Sequence, residues 1–264
     1  MSQSTSDNFA KTPGNVIYMS AGEPSLYVSE DEKNRYLTMG GDAIHTAIDK
    51  TNPRYMPLDV YQSLLSGLMF LVEQKPSSAL LGGCGGGAVA RYLDAFEIPG
   101  QAVEFDSRIA DIAKQYFDFP ASWSLHLDDI QSFVSTSKDT FDIILMDIAD
   151  GDFSPEWLCS VNFLTKCKAR LKANGMFSMN YILKDVQQFH QLFQSLRQVF
   201  GQQVVFMSVV SHINVIVHGF NGEIVIPEAD SERLKQCEAL WQLPFSAFLL
   251  LMQKDTPPGS GIFD

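Results

Sequence analysis

Glycines and acids stand at the ends of short apolar runs between Ala79 and Asp150. The run A-L-L-G-G-C-G-G-G-A-V-A-R (Ala79–Arg91) places Gly83, Gly85 and Gly87 in a G-x-G-x-G pattern between an apolar stretch and a helical one. Glycine permits a sharp turn and lets a ligand lie against the backbone where a Cβ would intrude, so nucleotide binding is the chemistry expected there. A tight turn packing a helix on a sheet is the plainer use of the same residues. Glu104 closes the next run, A-V-E-F-D (Ala102–Asp106), 17 residues past Gly87. A carboxylate at that place accepts hydrogen bonds from both ribose hydroxyls. Asp106 is its rival, and is also the expected N-cap of a helix opening at Ser107 or Arg108.

Two further acidic ends follow. L-H-L-D-D (Leu125–Asp129) offers Asp128 and Asp129 as acceptors for an adenine amino group, with Asp129 favoured. One of the two is equally suited to cap a helix over Ile130–Val134. F-D-I-I-L-M-D-I-A-D (Phe141–Asp150) carries Asp147 out of an apolar core strand, with Asp150 three residues on. Two carboxylates in such a loop bind a cationic amine and accept its proton, and Asp147 is the candidate base. The plainer alternative is a turn built from D-I-A-D-G-D. His126 and His212 fall in strand patterns without partners at triad or metal spacing, and no zinc, P-loop or nucleophilic-triad pattern is found.

Strands alternating with helices set every strand's carboxyl end on one edge of a parallel sheet, where α/β folds bind ligands. The patterns predict strands at Ala79–Leu81, Ala102–Phe105, Trp123–Leu127, Ile143–Met146, Met176–Asn180, Val204–Ser208 and Asn214–His218. Helices are expected over Ser107–Tyr116 and Val161–Leu171, the second capped by A-N-G (Ala173–Gly175). Only Val209–Ile213 separates the last two strands, too few residues for a crossover helix, so they form an antiparallel hairpin. The expected fold is α/β, a doubly wound, mostly parallel seven-stranded sheet of the class I methyltransferase type.

Ahead of it, residues 16–58 show short β patterns (N-V-I-Y-M, S-L-Y-V, R-Y-L-T-M) broken by S-A-G-E-P, D-E-K-N and G-G-D. They read as a small antiparallel β unit. Residues 1–15 read as a disordered tail and 59–264 as the nucleotide-binding catalytic domain. Pro57-Leu58-Asp59 opens a helix with Tyr61, Leu64, Leu65, Leu68 and Met69 on one face. A C-terminal helix is expected near Ser231–Gln242, followed by an apolar segment and a loose tail.

The chain has 264 residues, 45% of them apolar, and a formal charge of -12. Such a charge disfavours nucleic acid as a partner and suits either a cationic small molecule or simple solubility. Cys84, Cys159, Cys167 and Cys237 lack metal-ligand spacing and read as reduced thiols. With no signal-peptide pattern and no apolar stretch longer than that around Phe245–Met252, a cytoplasmic protein outside the membrane is expected.

Taken together, G-G-C-G-G-G (Gly82–Gly87), V-E-F-D (Val103–Asp106), D-D (Asp128–Asp129) and D-I-A-D (Asp147–Asp150) resemble the spermidine synthases, the polyamine aminopropyltransferases. Tyr61-Gln62 stands where that family carries a Tyr-Gln or Tyr-His pair, and the likeness covers 59 to about 180. The resemblance implies decarboxylated S-adenosylmethionine as co-substrate, an amine acceptor, no metal, and a dimeric habit. It assigns Gly83 and Gly85 to the adenosyl pocket, Glu104 to ribose and Asp129 to adenine. Tyr61 and Gln62 then face the aminopropyl arm, Asp147 is the general base, and Asp150 the second acid. The chain departs from the family in two places. Gly85 replaces an aspartate, and V-V-S-H-I-N-V replaces the acceptor loop. A methyltransferase using S-adenosylmethionine, or a silent nucleotide-binding protein, are the alternatives these departures raise.

Overall fold

A computed structural model describes residues 13–39, 43–71, 75–209, 213–258 and 262–263. The expected tail therefore lies almost entirely outside the described residues, as do the G-G-D turn signal and His212. Four strands open the chain: β1 (Asn15–Ser20), β2 (Leu26–Glu30), β3 (Asn34–Thr38) and β4 (Ile44–Asp49), paired antiparallel in sequence order. The turn between β2 and β3 forms where D-E-K-N predicts it, because the Asp31 carboxylate accepts the backbone N–H groups of Lys33 and Asn34 at 2.8 and 2.7 Å. The sequence patterns foretell three of these strands. β4, I-H-T-A-I-D, sets the β-branched Ile44, Thr46 and Ile48 at alternate positions, a local strand signal that the expected patterns passed over, and its last four residues are buried.

Asp59 opens helix α1 (Asp59–Leu64), which tightens into a 3-10 turn over Ser66–Phe70. Its expected apolar face, Tyr61, Leu64, Leu65, Leu68 and Met69, is buried throughout. The alternation then runs β5 (Ala79–Gly82), α2 (Ala88–Asp94), β6 (Gly100–Glu104), α3 (Ser107–Tyr116), β7 (Ser124–Leu127), α4 (Ile130–Thr136), β8 (Phe141–Asp147), α5 (Val161–Ala169), β9 (Leu171–Ile182), α6 (Val186–Phe200), β10 (Val204–Ser208) and β11 (Asn214–Phe220). Helices α7 (Glu232–Trp241) and α8 (Phe245–Asp255) close the chain.

The larger sheet has seven strands in the order β10-β11-β9-β8-β5-β6-β7. Strands β5 to β9 pair in parallel, and β11 runs antiparallel between β9 and β10, as the short Val209–Ile213 connection requires. Both faces of β5 and β8 are covered, which explains their unbroken apolar runs. The chain winds outward from β5 to β6 and β7 on one side and returns to β8 and β9 on the other. The crevice at this reversal lies above the carboxyl ends of β5, β6 and β8.

One expected boundary is corrected. A-N-G does not cap a helix: α5 stops at Ala169, and Leu171–Gly175 begin β9. Asn174, with φ 60°, takes the left-handed conformation instead of the glycine. Asn221, just past β11, accepts from the Asn174 N–H and donates to the Gly175 carbonyl, both at 2.9 Å, so pairing with a distant strand claims the backbone.

His218 on β11 is fully buried against the 3-10 turn. The Ser66 hydroxyl donates to the Ser63 carbonyl at 2.6 Å and lies 2.9 Å from His218 Nε2. With its proton committed, Ser66 Oγ accepts from Nε2–H, and Nδ1 is left as a buried acceptor without a partner. A Cβ at Gly67 would stand 2.8 Å from that nitrogen, so a side chain there is excluded. Burial pushes the imidazole pKa from 6.5 down to about 3. The unfolded chain takes up a proton below pH 6.5 that the folded chain refuses, so stability is complete above that pH and falls as acidity increases toward pH 3. Urea unfolding of the protein and of His218→Gln at several pH values checks this. The parent should lose up to about 1.4 kcal/mol more per pH unit than the variant across that window, and parallel slopes would refute it.

Candidate active site

The glycine turn is built by steric exclusion. Gly83 has φ 78°, and a Cβ on it would fall 2.2 Å from the Asp147 carbonyl oxygen. Gly85 has φ 48°, and its Cβ would fall 2.7 Å from Thr46 Oγ1 and 3.6 Å from Tyr61 Oη. The first contact brings the end of β5 against the end of β8; the second brings the N-terminal sheet against the turn. Gly87, φ 82°, starts α2 without a side-chain cap. The turn thus sits between two walls, one from each sheet.

Glu104 is 8% exposed at the end of β6. One carboxylate oxygen accepts from the Cys84 N–H at 3.0 Å, and the other from the N–H groups of Phe105 and Asp106 at 2.8 and 3.0 Å. The carboxylate is therefore tied to the glycine turn by the backbone itself. Asp106 does what its helix position predicts. It caps α3 through the Arg108 N–H at 2.8 Å and pairs with the Arg108 guanidinium at 2.6 Å. That ion pair holds its carboxyl below the usual range. Between the next two acids, the cap is Asp129, which accepts from the N–H groups of Gln131 and Ser132 at 3.3 and 3.2 Å. Asp128 is exposed and accepts from the Asp129 N–H at 2.8 Å. The residue favoured for adenine is thus also the helix cap, and it accepts from the Ser132 hydroxyl at 3.2 Å as well.

Asp147 ends β8 half-buried, in register with Asn180 of β9. Asn180 Nδ2 donates to Asp147 Oδ1 at 2.8 Å, and Asn180 Oδ1 accepts from Asn214 Nδ2 at 2.9 Å. Side chains of three adjacent strands thus hold one carboxylate. Burial lifts its pKa above the ordinary 3.8; the Asn180 bond opposes the rise, and the charge on Glu104 adds to it. Glu104 and Asp147 therefore feel each other across a single crevice.

Tyr61 is 4% exposed and points to the same place. Its hydroxyl donates to the His45 carbonyl at 2.5 Å and lies 3.4 Å from Thr46 Oγ1. Burial, then the charge on Asp147, raises its pKa. Thr46 Oγ1 also accepts from the Gly86 N–H at 2.8 Å. Gln62, half-buried, donates to the Met56 carbonyl at 2.8 Å. Asp150 is exposed on a turn closed by its own N–H to the Phe153 carbonyl, also 2.8 Å. His126 is an ordinary strand residue, its Nε2 3.1 Å from Gln101 Oε1.

The structure therefore gathers Gly83, Gly85, Glu104, Tyr61 and Asp147 about one crevice, and leaves Asp128 and Asp150 on exposed rims. Sequence reasoning missed Thr46, Asn180 and Asn214. Asn180 carried a readable signal, a polar residue ending the run M-F-S-M-N at the carboxyl edge of the sheet. Thr46 also carried one, standing between Ile44 and Ile48 in an alternating β-branched pattern, but its strand went unread.

Residues 58–226 match the family model described as the spermine/spermidine synthase domain. A polyamine aminopropyltransferase of Chromobacterium violaceum is 24% identical over 245 residues, covering 90% of this chain and 93% of that one. A probable spermidine synthase from Corynebacterium glutamicum superposes with a TM-score of 0.71 at 18% identity over 87% of each chain. Human methyltransferase-like protein 13 in complex with SAH superposes with a TM-score of 0.60 at 22% identity, over 71% of this chain and 94% of that one. The two superpositions establish the fold, that of class I methyltransferases. With more than half of its residues inside the matched domain, the chain belongs to the spermine/spermidine synthase family.

Proposed function

We propose that the protein is a transferase moving an aminopropyl group from decarboxylated S-adenosylmethionine to a small amine, with release of 5′-methylthioadenosine. The observation that carries this reading is the convergence of Glu104 and Asp147 on the glycine turn, one bonded to its backbone and the other packed on Gly83. In this reading Gly83, Gly85 and Gly87 cradle the adenosyl group, Glu104 accepts the ribose hydroxyls, and Asp128 and Asp129 serve the adenine edge. Tyr61 and Gln62 flank the aminopropyl arm, and Asp150 meets the amine from the rim. The division into a β unit over 16–58 and a catalytic domain over 59–264 belongs to the same reading, as does a homodimer. Ile17 and Met19, 43% and 50% exposed on β1, offer apolar surface for such a dimer.

Asp147 does the proton chemistry. Its carboxylate first pairs with the incoming ammonium and then takes one proton, freeing the nitrogen lone pair. The nitrogen attacks the aminopropyl carbon next to sulfur, the carbon–sulfur bond breaks, and its electron pair leaves on sulfur as a neutral thioether. The raised pKa of Asp147 brings the base closer to the amine it must deprotonate. Asn180 fixes which oxygen faces the substrate, and such alignment supplies a large share of the rate. The displacement as written calls for no metal. Among the described residues no helix is long and apolar enough to cross a membrane. A cytoplasmic enzyme acting on small molecules, without nucleic acid, fits this reading.

One observation favours methyl transfer as a second reading. Gly85 puts no acid beside the donor's tail, and the space its Cβ would need is held by Thr46. A donor that keeps its carboxylate is then not repelled. Incubation with each sulfonium donor and a panel of amines separates the two. Methylthioadenosine supports aminopropyl transfer, S-adenosylhomocysteine supports methyl transfer, and neither product with nucleotide still bound leaves a silent binder.

Asp147→Asn should lower kcat at least tenfold while nucleotide affinity measured by calorimetry stays within about twofold; full turnover removes Asp147 as the base. Asn180→Ala removes a hydrogen bond that favours the charged carboxylate, so Asp147 should titrate higher still. Because the base acts ionised, the acid limb of the kcat profile should move to higher pH. An unmoved limb with merely reduced amplitude would make Asn180 a structural residue only.

A further inference from the structure

A shallow recess of about 410 Å3 lies at the carboxyl edge of the sheet, lined by Phe153, Leu183, Lys184, Asp185, Val186, Phe189 and Ile213. That volume is in the range of small-molecule sites. Its walls come from the same edge of the sheet as Asp147. Phe153 ends the loop that Asp147 begins, and the Ser154 N–H bonds the Ile182 carbonyl at 3.1 Å while the Ile182 N–H returns to Ser154 Oγ at 2.9 Å. Leu183 follows β9 three residues beyond Asn180, the partner of Asp147, a span of roughly 10 Å. Ile213 precedes Asn214, which holds Asn180. Chain continuity thus leads from the base to the recess along two of its walls.

The lining has the wrong chemistry for a second ammonium. Its one carboxylate, Asp185, caps α6 by accepting the Gln188 N–H at 2.8 Å. Its one ammonium, Lys184, lies 5.9 Å from the centre of the Phe153 ring and 3.6 Å from the exposed Glu156 carboxylate, a pair too solvated to cancel its charge on an incoming cation. The remaining walls are aromatic or aliphatic, and Val186 and Ile213 are 71% and 66% exposed at the mouth. Exposed apolar side chains around a concave surface gain by covering an apolar ligand.

Resting on the transferase reading above, we propose that the acceptor is a primary amine with an apolar arm on the order of 10 Å long, its nitrogen at Asp147 and its arm in this recess. Burial of each methylene then tightens binding about threefold to fourfold until the recess is filled.

Calorimetry on the full chain with 5′-methylthioadenosine present, titrating 1-butylamine, 1-hexylamine, 1-octylamine and 1,4-diaminobutane, tests this. Affinity should climb with chain length, and 1-octylamine should bind at least tenfold more tightly than 1,4-diaminobutane. Val186→Asp should abolish most of that climb. The position is exposed in the first turn of α6, where an acid favours the helix, so the variant folds; Ile213→Asp is its independent companion. A flat chain-length series, tighter binding of the diamine, or an unchanged climb in both variants overturns the proposal. Methylthioadenosine release from decarboxylated S-adenosylmethionine is followed separately. Turnover with the diamine alongside a flat series sinks the recess while the transferase reading stands. A steep, variant-sensitive series without product sinks the transferase reading and leaves the recess as an amine site.

Discussion

The glycine turn after β5 is held between two strand ends, one of them closer than any side chain allows. On one side the Asp147 carbonyl takes the space of a Cβ on Gly83; on the other, Glu104 accepts the Cys84 N–H. Everything proposed for this protein depends on that double approach. It packs the backbone of the turn against both strand ends, and it fixes two carboxylates beside that backbone. A residue with a side chain at Gly83 would push β8 away from β5 and open the crevice where the chemistry is placed.

The N-terminal sheet shares in this arrangement. Thr46 accepts the Gly86 N–H and nears the Tyr61 hydroxyl, while Arg108 on α3 donates to the carbonyls of Ala21 and Pro24 at 3.2 and 3.1 Å. Tyr18 stacks on Tyr116 with ring centres 4.9 Å apart. The small sheet is therefore fastened to α3 and packs on the glycine turn.

Electrostatics in the crevice follow from the burial of Asp147. Burial raises the cost of ionising Asp147, and the nearby charge on Glu104 adds to it. Asn180, braced by Asn214, offsets part of that cost with a single hydrogen bond. The result is a carboxylate aligned by a side chain of the neighbouring strand β9, itself braced from β11. Asp106, by contrast, has the same residue type two positions from Glu104 and is spent on a helix cap and an arginine.

Much of the fold was legible because its signals are local. Glycine spacing, strand–helix alternation and the shortness of 209–213 each follow from backbone sterics or chain length, and they led to the seven-stranded sheet with its terminal hairpin. The cap at Asp106 and the buried face of α1 were likewise written in residues near one another. What local signals could not decide was whether A-N-G ends a helix or starts a strand, and that Thr46 meets the glycine turn. Each turns on contacts between segments distant in the chain, such as Asn221 with Gly175 or Thr46 with Gly86. The sequence by itself determined which residues line the carboxyl edge of the sheet. Only the tertiary structure decided which of them meet, because burial and hydrogen-bond partners are properties of the packed molecule and not of any stretch of it.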